Sequence, residues 1–285
     1  MSRQRKAFDR LMSFVLWGSA AFLVLLVLAI LLYILANGWE SLSWEFLTQP
    51  PRDQMTKGGI STPLVGTIQL VIVSISFALP VGVATGLFFA EYSSGGIFTN
   101  GLRLAIRCLA GVPSVVFGLF GLSLFVVLMK FGSCLLSAGL TLACLALPLI
   151  VTASEQAFLA VPKEYRDGSY ALGATKWQTI YKVVLPAAMP TIVTGAILSI
   201  GRVAGETAPI IFTGAAFFTP GFATSLFDEV MALPYHILVL ATAGTHITET
   251  RPIQYGTVLV LLVLVLGVSF VGVYLRNRFR KTSRV

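Results

Sequence analysis

Long apolar runs dominate the hydropathy pattern of this chain, and they are too long to be buried strands. Six runs combine mostly apolar residues with few charges: 12–35, 63–90, 104–129, 135–154, 189–212 and 255–275. A helix of about 20 such residues crosses the hydrocarbon core of a bilayer. Pro113 and Pro148 interrupt the third and fourth runs and blur their ends. The pattern therefore predicts an all-α integral membrane protein with about six transmembrane helices.

The distribution of Lys and Arg predicts how these helices are oriented, because basic residues near helix ends remain in the cytoplasm. If the N-terminus is cytoplasmic, most of the 20 Lys and Arg residues fall in cytoplasmic segments. The outer segments then hold only Arg52, Lys57, Lys130 and Arg251. We therefore expect both termini to be cytoplasmic, with the long loop 155–188 inside and the long loop 213–254 outside.

The first run also resembles the hydrophobic region of a signal peptide, because four basic residues precede it: Arg3, Arg5, Lys6 and Arg10. However, the run from Leu11 to Ala36 exceeds the roughly 7 to 15 residues usual for that region. We expect a retained anchor helix.

Composition supports the membrane assignment and narrows the function. The 285 residues are 56% hydrophobic and 11% charged, and their mean hydropathy is +0.87. The net charge of +8 does not indicate nucleic-acid binding, because the basic residues lie at the ends of apolar runs instead of forming one exposed stripe. The three cysteines, Cys108, Cys134 and Cys144, have no metal-type spacing, and we interpret them as inert packing residues.

A charged pair interrupts the fifth run. Arg202 and Glu206 are four residues apart, which would place them on one helix face near the middle of the membrane. A charge at that depth costs about 2.5–3.5 kcal/mol on insertion scales, so the pair is expected to face a polar interior. The Arg202 guanidinium fork matches the geometry of an oxyanion and stays charged at physiological pH.

Two structural alternatives remain open for this region. The charges can simply neutralise each other, while Gly201 and Gly205 provide a close-packing helix surface. Pro209 weakens the helix just beyond the pair, which fits either the wall of a pathway or a plain helix end at the outer surface.

The loop 155–188 interleaves charged residues with aromatic and apolar ones. It predicts a short amphipathic helix, a break at Gly173 and a second short helix. Such a loop presents an aromatic and apolar ridge to a soluble partner, although an interfacial helix resting on lipid headgroups has a similar pattern. Ala174-Thr175 follows the stretch Gly168–Gly173 where Lys and Ser/Thr would have to stand, so no phosphate loop is predicted.

No enzyme active site is predicted either. The chain has two histidines, His236 and His246, and we expect both to be solvent-facing residues of the outer loop. Catalytic motifs built on histidine, serine or paired carboxylates are not found in the sequence.

The loop and the fifth run together resemble the permeases of importer-type ABC transporters. Those permeases carry Glu-Ala-Ala, then a glycine six residues after the Glu, then Ile-x-Leu-Pro. The positions that match are Asp167-Gly168-Ser169, Gly173 and Val183-Val184-Leu185-Pro186, with the first element degenerate.

Within that class, three further stretches resemble the PstA-type permease of phosphate importers. These stretches are Val112–Phe120, Ala204–Thr213 and Leu233-Pro234. The resemblance covers roughly residues 60–275 and implies a type I ABC importer permease fold in the cytoplasmic membrane of a prokaryote. It also divides the chain into an N-terminal anchor and outer connection (1–59), a transmembrane domain (60–275) and a basic cytoplasmic tail (276–285).

The resemblance implies a function and partners as well. We expect a phosphate permease that pairs with a PstC-type permease, docks a dimer of PstB-type ATPases and receives phosphate from a PstS-type binding protein. The chain itself is expected to hold no cofactor, with ATP and Mg bound by the partner ATPase. Transport is assigned to Arg202, Glu206 and Thr207. Helix breaking and packing are assigned to Pro113, Gly201, Gly205 and Pro209. Coupling to the ATPase is assigned to Tyr165, Arg166, Asp167, Tyr170, Ala171, Leu172, Gly173, Ala174 and Trp177.

Three other functions fit parts of the pattern. A permease for sulfate or molybdate keeps every feature except the stretch around Glu206. An ion-driven carrier or channel works without an ATPase. A membrane-embedded scaffold makes Arg202 purely structural, so changing it affects assembly and not transport.

Overall fold

The computed structural model describes residues 3–93, 95–243 and 247–282, and its architecture is helical. The helices are α1 (Arg3–Gly38), α2 (Trp44–Thr48), α3 (Ser61–Leu87), α4 (Ile97–Leu109), α5 (Ser114–Gly121), α6 (Leu135–Leu159), α7 (Lys163–Ala171), α8 (Lys176–Thr179), α9 (Leu185–Gly205), α10 (Ala208–Ile211), α11 (Leu233–Thr242) and α12 (Ile247–Thr282). Two short strands, β1 (Pro51–Arg52) and β2 (Lys57–Gly58), pair antiparallel between α2 and α3.

Five stretches among the described residues are long and apolar enough to span a membrane: Asp9–Ser41, Ser61–Tyr92, Leu135–Leu159, Lys176–Gly205 and Thr250–Arg278. A sixth crossing is formed if the bent pair α4 and α5, with the turn that follows, counts as one span. The expected number of transmembrane helices is therefore confirmed as five or six.

The third span, predicted over 104–129 with an interruption at Pro113, is not one straight helix. Residues Ile97–Leu109 and Ser114–Leu128 form two helical segments that meet at 105°. Pro113 precedes the first residue of α5 and has an extended ψ of 141°, so the chain turns there instead of continuing the helix. The first segment carries Arg103 and Arg107 and is amphipathic, so the apolar crossing begins only at Ser114.

Pro148 has the opposite outcome, because α6 continues through it to Leu159. The Thr152 hydroxyl donates to the Pro148 carbonyl at 2.8 Å within the same helix. Neighbouring helices enclose this region, and 67% of the most apolar 18-residue stretch of α6 is buried. The proline is therefore accommodated where the helix is covered by protein on most sides.

The hydrophobic core forms around α6, which packs against α3, α5 and α9. Its central cluster joins α3 and α6 through Ala78, Leu142 and Ile150. Gly86 permits a close approach of the two backbones, because a Cβ there would lie 2.7 Å from the Ser154 Cβ and 2.8 Å from the Glu155 nitrogen. By contrast, none of the most apolar 18-residue stretch of α1 is buried by other described residues. The helix α1 packs against α12, where the rings of Tyr33 and Tyr255 lie 5.7 Å apart.

Candidate functional site

The fifth span ends at the charged pair. The structure places Arg202 in the last turn of α9, and the helix ends at Gly205. Glu206 follows with extended dihedral angles (φ −76°, ψ 129°), so it is not on the helix face expected from its spacing. The expected span 189–212 therefore runs past the end of the helix, because α9 extends only from Leu185 to Gly205. Arg202 consequently lies near a helix end and not in the middle of a continuous helix.

Arg202 and Glu206 nevertheless contact each other. The Arg202 Nε donates to Glu206 Oε1 at 3.3 Å, and the two side chains are 39% and 17% exposed. Within the part of the chain that the structure describes, the two Nη groups of Arg202 have no protein acceptor. The guanidinium therefore keeps most of its donors available for an external oxyanion.

The segment after the break folds back onto α5. Thr207 precedes the short helix α10, in which Pro209 and Ile210 are buried. Pro209 occupies the first turn of that helix, a position where proline is well accepted. A Cβ on Gly118 of α5 would lie 3.0 Å from the Pro209 Cα, so the two segments are in direct contact. Pro209 therefore begins a new helix here and does not weaken the interior of α9.

Contacts within the described residues give little support to the interpretation that Gly201 and Gly205 form a close-packing helix surface. A Cβ on Gly201 would make an ordinary contact of 3.6 Å with Val265, and one on Gly205 would meet nothing within 4 Å. Among the described residues, these glycines do not mark a tight helix–helix contact.

The coupling segment, residues 160–184, has the predicted first short helix and the predicted break. The second helix is not a separate short one, because α8 continues through a π-helical turn, Ile180–Val184, into α9. Gly173 has φ +78°, and its N–H donates to the Tyr170 carbonyl at 2.9 Å. The Ala174 N–H donates to the Ser169 carbonyl, which completes a Schellman motif and ends α7. Thr175 and Gln178 then form a capping box that begins α8. These local signals make the break independent of any partner.

Most of the coupling residues form an exposed ridge. The large side chains Tyr165, Tyr170, Leu172 and Trp177 are all exposed, and Leu172 is 89% exposed. Asp167, Ala171 and Gly173 are also exposed, and Ala174 is half-buried. Arg166 differs from the others, because its side chain is 16% exposed and turns into the protein toward Glu91.

Two partly buried ion pairs at the end of α3 are not predicted from the sequence. Arg166 Nη2 lies 2.6 Å from Glu91 Oε1, and Arg103 Nε lies 2.6 Å from Glu155 Oε1. Both carboxylates are 8% exposed. The residues of each pair are 75 and 52 positions apart, so no local spacing connects them. The signal for them in the sequence is a pair of isolated acidic residues, Glu91 and Glu155, each at the end of an apolar run.

The expectation for the histidines is wrong for His236. It lies in α11 and is 2% exposed, and neither ring nitrogen has a hydrogen-bond partner among the described residues. The apolar side of α11 packs on α12 and α3, which carries the histidine into the interior. His246 lies outside the described residues.

The outer loop caps the start of α6. The Leu135 and Leu136 N–H groups donate to the carbonyls of Asp228 and Leu226, each at 2.8 Å. The Asp228 carboxylate accepts from the N–H groups of Ser225 and Thr224 and thereby holds this turn. Hydrogen bonds from the Ser225 and Thr224 backbone and the Thr224 hydroxyl lower the pKa of Asp228. The described residues contain no group of three His, Cys, Asp or Glu side chains suited to a metal ion.

A helical membrane protein with a charged break in one span and an exposed coupling segment has the form of a transporter subunit. Residues 82–281 match the family described as binding-protein-dependent transport system inner membrane component. This match covers more than half of the chain, which therefore belongs to that family, the multi-pass inner-membrane permease subunits of ABC importers. In such importers the ATPase is a separate subunit.

Similar proteins of known or assigned role extend along most of the chain. A probable ABC transporter permease protein, YqgI of Bacillus subtilis, is 33% identical over 93% of this chain and 94% of its own length. The phosphate transport system permease protein PstA of Mycobacterium leprae is 34% identical over 90% of this chain and 85% of its own length. The resemblance to PstA-type permeases is thus confirmed.

Solved structures confirm the fold. A bacterial ABC transporter involved in alginate import matches with a TM-score of 0.62 at 15% identity, over 97% of this chain and 99% of that chain. The inward-facing MetNI methionine ABC transporter matches with a TM-score of 0.59 at 18% identity, over 77% of this chain and 97% of that chain. The expected type I ABC importer permease fold is therefore correct.

Proposed function

We propose that this chain is the permease subunit of an importer that moves inorganic phosphate across the cytoplasmic membrane into the cell. Relatives named PstA, including one from Mycobacterium leprae at 34% identity, support phosphate as the substrate. The observation that carries the proposal is the guanidinium of Arg202, whose Nη groups have no protein acceptor within the described residues. An exposed charged fork at the end of an apolar helix is suited to a passing tetrahedral oxyanion.

The proposed partners follow from the family and from the exposed surfaces. A PstC-type permease would complete the pathway, a PstS-type protein would deliver phosphate, and PstB-type ATPases would bind ATP and Mg. The ATPase would dock on the ridge formed by Tyr165, Tyr170, Leu172 and Trp177, because large apolar side chains at an exposed helix–break–helix segment favour a protein partner. This chain would then need no cofactor of its own.

The mechanism we propose is alternating access. Closure of the ATPases displaces the coupling segment, the spans rock, and the pathway beside Arg202, Glu206 and Thr207 opens first outward and then inward. Arg202 attracts the anion, and Glu206 holds the guanidinium between transport events through the observed contact of 3.3 Å. The break after Gly205 supplies a place where backbone conformation can change without disrupting a helix.

Glu206 would also contribute to anion selectivity. Protonated phosphate has a hydroxyl that donates a hydrogen bond to a carboxylate, whereas sulfate at neutral pH has none. The change Glu206→Gln retains the shape but weakens this acceptor, so it should raise sulfate uptake relative to phosphate uptake. Unchanged exclusion of sulfate in this variant would contradict the role.

The substrate itself is tested with the complete importer in membrane vesicles. We expect uptake of radiolabelled phosphate to require ATP and to exceed that of radiolabelled sulfate. ATP-dependent uptake of sulfate in preference to phosphate would contradict the substrate and leave the family assignment intact. Phosphate uptake that continues without ATP would instead favour an ion-driven carrier.

A further inference from the structure

The end of α3 contains an unusual turn at which three cationic side chains meet. Residues Phe88–Tyr92 extend α3 as a π-helical turn, which is a rare geometry and frequent at functional sites. The carbonyl groups at such a helix end lack intrahelical partners and carry partial negative charge. Arg103 Nη2 donates to the Phe89 carbonyl, and Lys176 Nζ donates to the Glu91 carbonyl, both at 2.6 Å.

Arg166 joins this turn to the coupling segment. Its Nε and Nη2 donate to Glu91 Oε1 at 3.1 and 2.6 Å. Its Nη2 also donates to the Phe158 carbonyl at 2.8 Å, and its Nη1 donates to the Val161 carbonyl at 2.7 Å. One side chain of α7 therefore connects the C-terminal ends of two core helices, α3 through Glu91 and α6 through Phe158.

The geometry of this connection suits the transmission of movement. The guanidinium is planar and pre-organised, and it has several acceptors fixed by two different helices. The side chains of Arg166 and Glu91 are 16% and 8% exposed, so water screens the contact less than it screens a surface pair. Lys176 of α8 adds a second contact, because its ammonium lies 4.1 Å from the centroid of the Tyr92 ring. Both helices of the coupling segment thus hold the same turn.

A second pair at this turn provides an internal comparison. Arg103 of α4 pairs with Glu155 of α6 and lies 5.2 Å above the Phe89 ring. Its side chain is 22% exposed, and its carboxylate partner is as buried as Glu91. The chemistry is closely matched, but this second pair does not include a residue of the coupling segment.

We infer that Arg166 and Glu91 are positioning residues that transmit displacement of α7 by the ATPase to α3 and α6. The inference rests on the proposed docking of the ATPase at the coupling segment, and it does not depend on which anion is carried. Arg166 would then act inside the permease, while the exposed residues beside it contact the ATPase. Without this link α7 can move while α3 and α6 stay in place.

The test compares the amount of phosphate transported with the amount of ATP hydrolysed. The complete importer is placed in vesicles, and uptake of radiolabelled inorganic phosphate and ATP hydrolysis are measured on the same preparation at matched amounts of assembled complex. We expect Glu91→Gln and Arg166→Gln to lower the phosphate moved per ATP by at least about ten-fold. ATP hydrolysis itself should remain near the wild-type rate.

Two double variants separate transmission from simple stabilisation. Arg166→Gln with Glu91→Gln removes both charges, so a pair that merely neutralises charge would regain the wild-type ratio, whereas a transmitting pair would not. Arg103→Gln with Glu155→Gln removes the matched pair and should retain the wild-type ratio in whatever complex assembles.

Three results would overturn the inference: recovery in the first double variant, an equal loss of ratio in the second, or an unchanged ratio in both single variants. If the wild-type importer takes up sulfate instead of phosphate, the same ratios are measured with radiolabelled sulfate. That result would contradict the proposed substrate and leave the test of coupling intact.

Discussion

At the scale of single residues, Gly173 shows how backbone conformation alone determines which side chain is accepted. Its φ of +78° lies in the left-handed region, and a Cβ there would meet nothing within 4 Å. Gly168, five residues earlier inside α7, also has open space around it but an ordinary helical backbone. The two glycines therefore differ in conformation and not in crowding.

Alanine at these two positions should have opposite effects. Gly173→Ala forces a side chain into the left-handed region and should cost about 1–2 kcal/mol. Gly168→Ala should stabilise α7 by up to about 1 kcal/mol, because alanine is the better helix former. The measurement is the rate of proteolytic cleavage within residues 160–180, which follows local opening and should rise about 5- to 30-fold in the first variant. Similar rates in both variants would contradict the account.

At the scale of elements, the contact between α3 and α6 depends on a missing side chain. A Cβ on Gly86 would lie 2.8 Å from the Glu155 nitrogen and 3.0 Å from the Val151 carbonyl oxygen. Because these atoms belong to the backbone of α6, they cannot move aside as a flexible side chain can. The close approach also places Glu155 beside the end of α3, where Arg103 pairs with it.

The change Gly86→Ala should therefore separate the two helices and destabilise the permease. We expect a loss of about 1–3 kcal/mol, the usual cost of forcing extra volume into a packed contact. Gly101→Ala in α4 is the control, because a Cβ at Gly101 would meet nothing within 4 Å and should be neutral or slightly stabilising. The midpoint of thermal unfolding of the purified complex measures both, and an equal midpoint in the two variants would show that the contact tolerates a methyl group.

The sequence predicts elements well where one local signal dominates. The apolar runs predict the spans, and Gly173 predicts the break in the coupling segment. Prediction from the sequence fails where tertiary contacts determine whether a helix continues or ends. Pro148 lies within a continuous helix because neighbouring helices enclose it, whereas Pro113 marks a bend of 105°. The same residue type therefore has two outcomes that no local pattern distinguishes.

The candidate site also combines features that the sequence predicts with features that it does not predict. Charges in an apolar run are rare, so the sequence indicates Arg202 and Glu206 as site residues, and the two side chains do contact each other. The sequence does not predict their place at the end of α9, because the apolar run continues beyond the residue at which the helix ends. The sequence does not predict the pairing of Arg166 with Glu91, because these residues are far apart along the chain.

At the scale of the whole molecule, different interactions stabilise the two ends of the helical bundle. At one end, the coupling segment, α3 and α6 meet around the ion pairs of Arg166 and Arg103. At the other end, the loop around Asp228 caps α6 through backbone hydrogen bonds. The charged break of α9 leads into α10, which packs on α5. A movement applied to the coupling segment thus enters a core that extends through α6 to the outer loop.

The most direct test of the account concerns Arg202 and uses ATP-dependent phosphate uptake at matched assembly of the complete importer. We compare wild type, Arg202→Gln, and Arg202→Gln combined with Glu206→Gln. The single variant leaves Glu206 unpaired, and the double variant removes both charges, so a purely structural pair would recover in the double variant. If Arg202 contacts the anion, both variants lose about ten-fold or more of the uptake, because a charge-assisted hydrogen bond contributes about 1.5–3 kcal/mol. Wild-type uptake in the double variant would show that Arg202 only neutralises Glu206 and would contradict the proposed pathway.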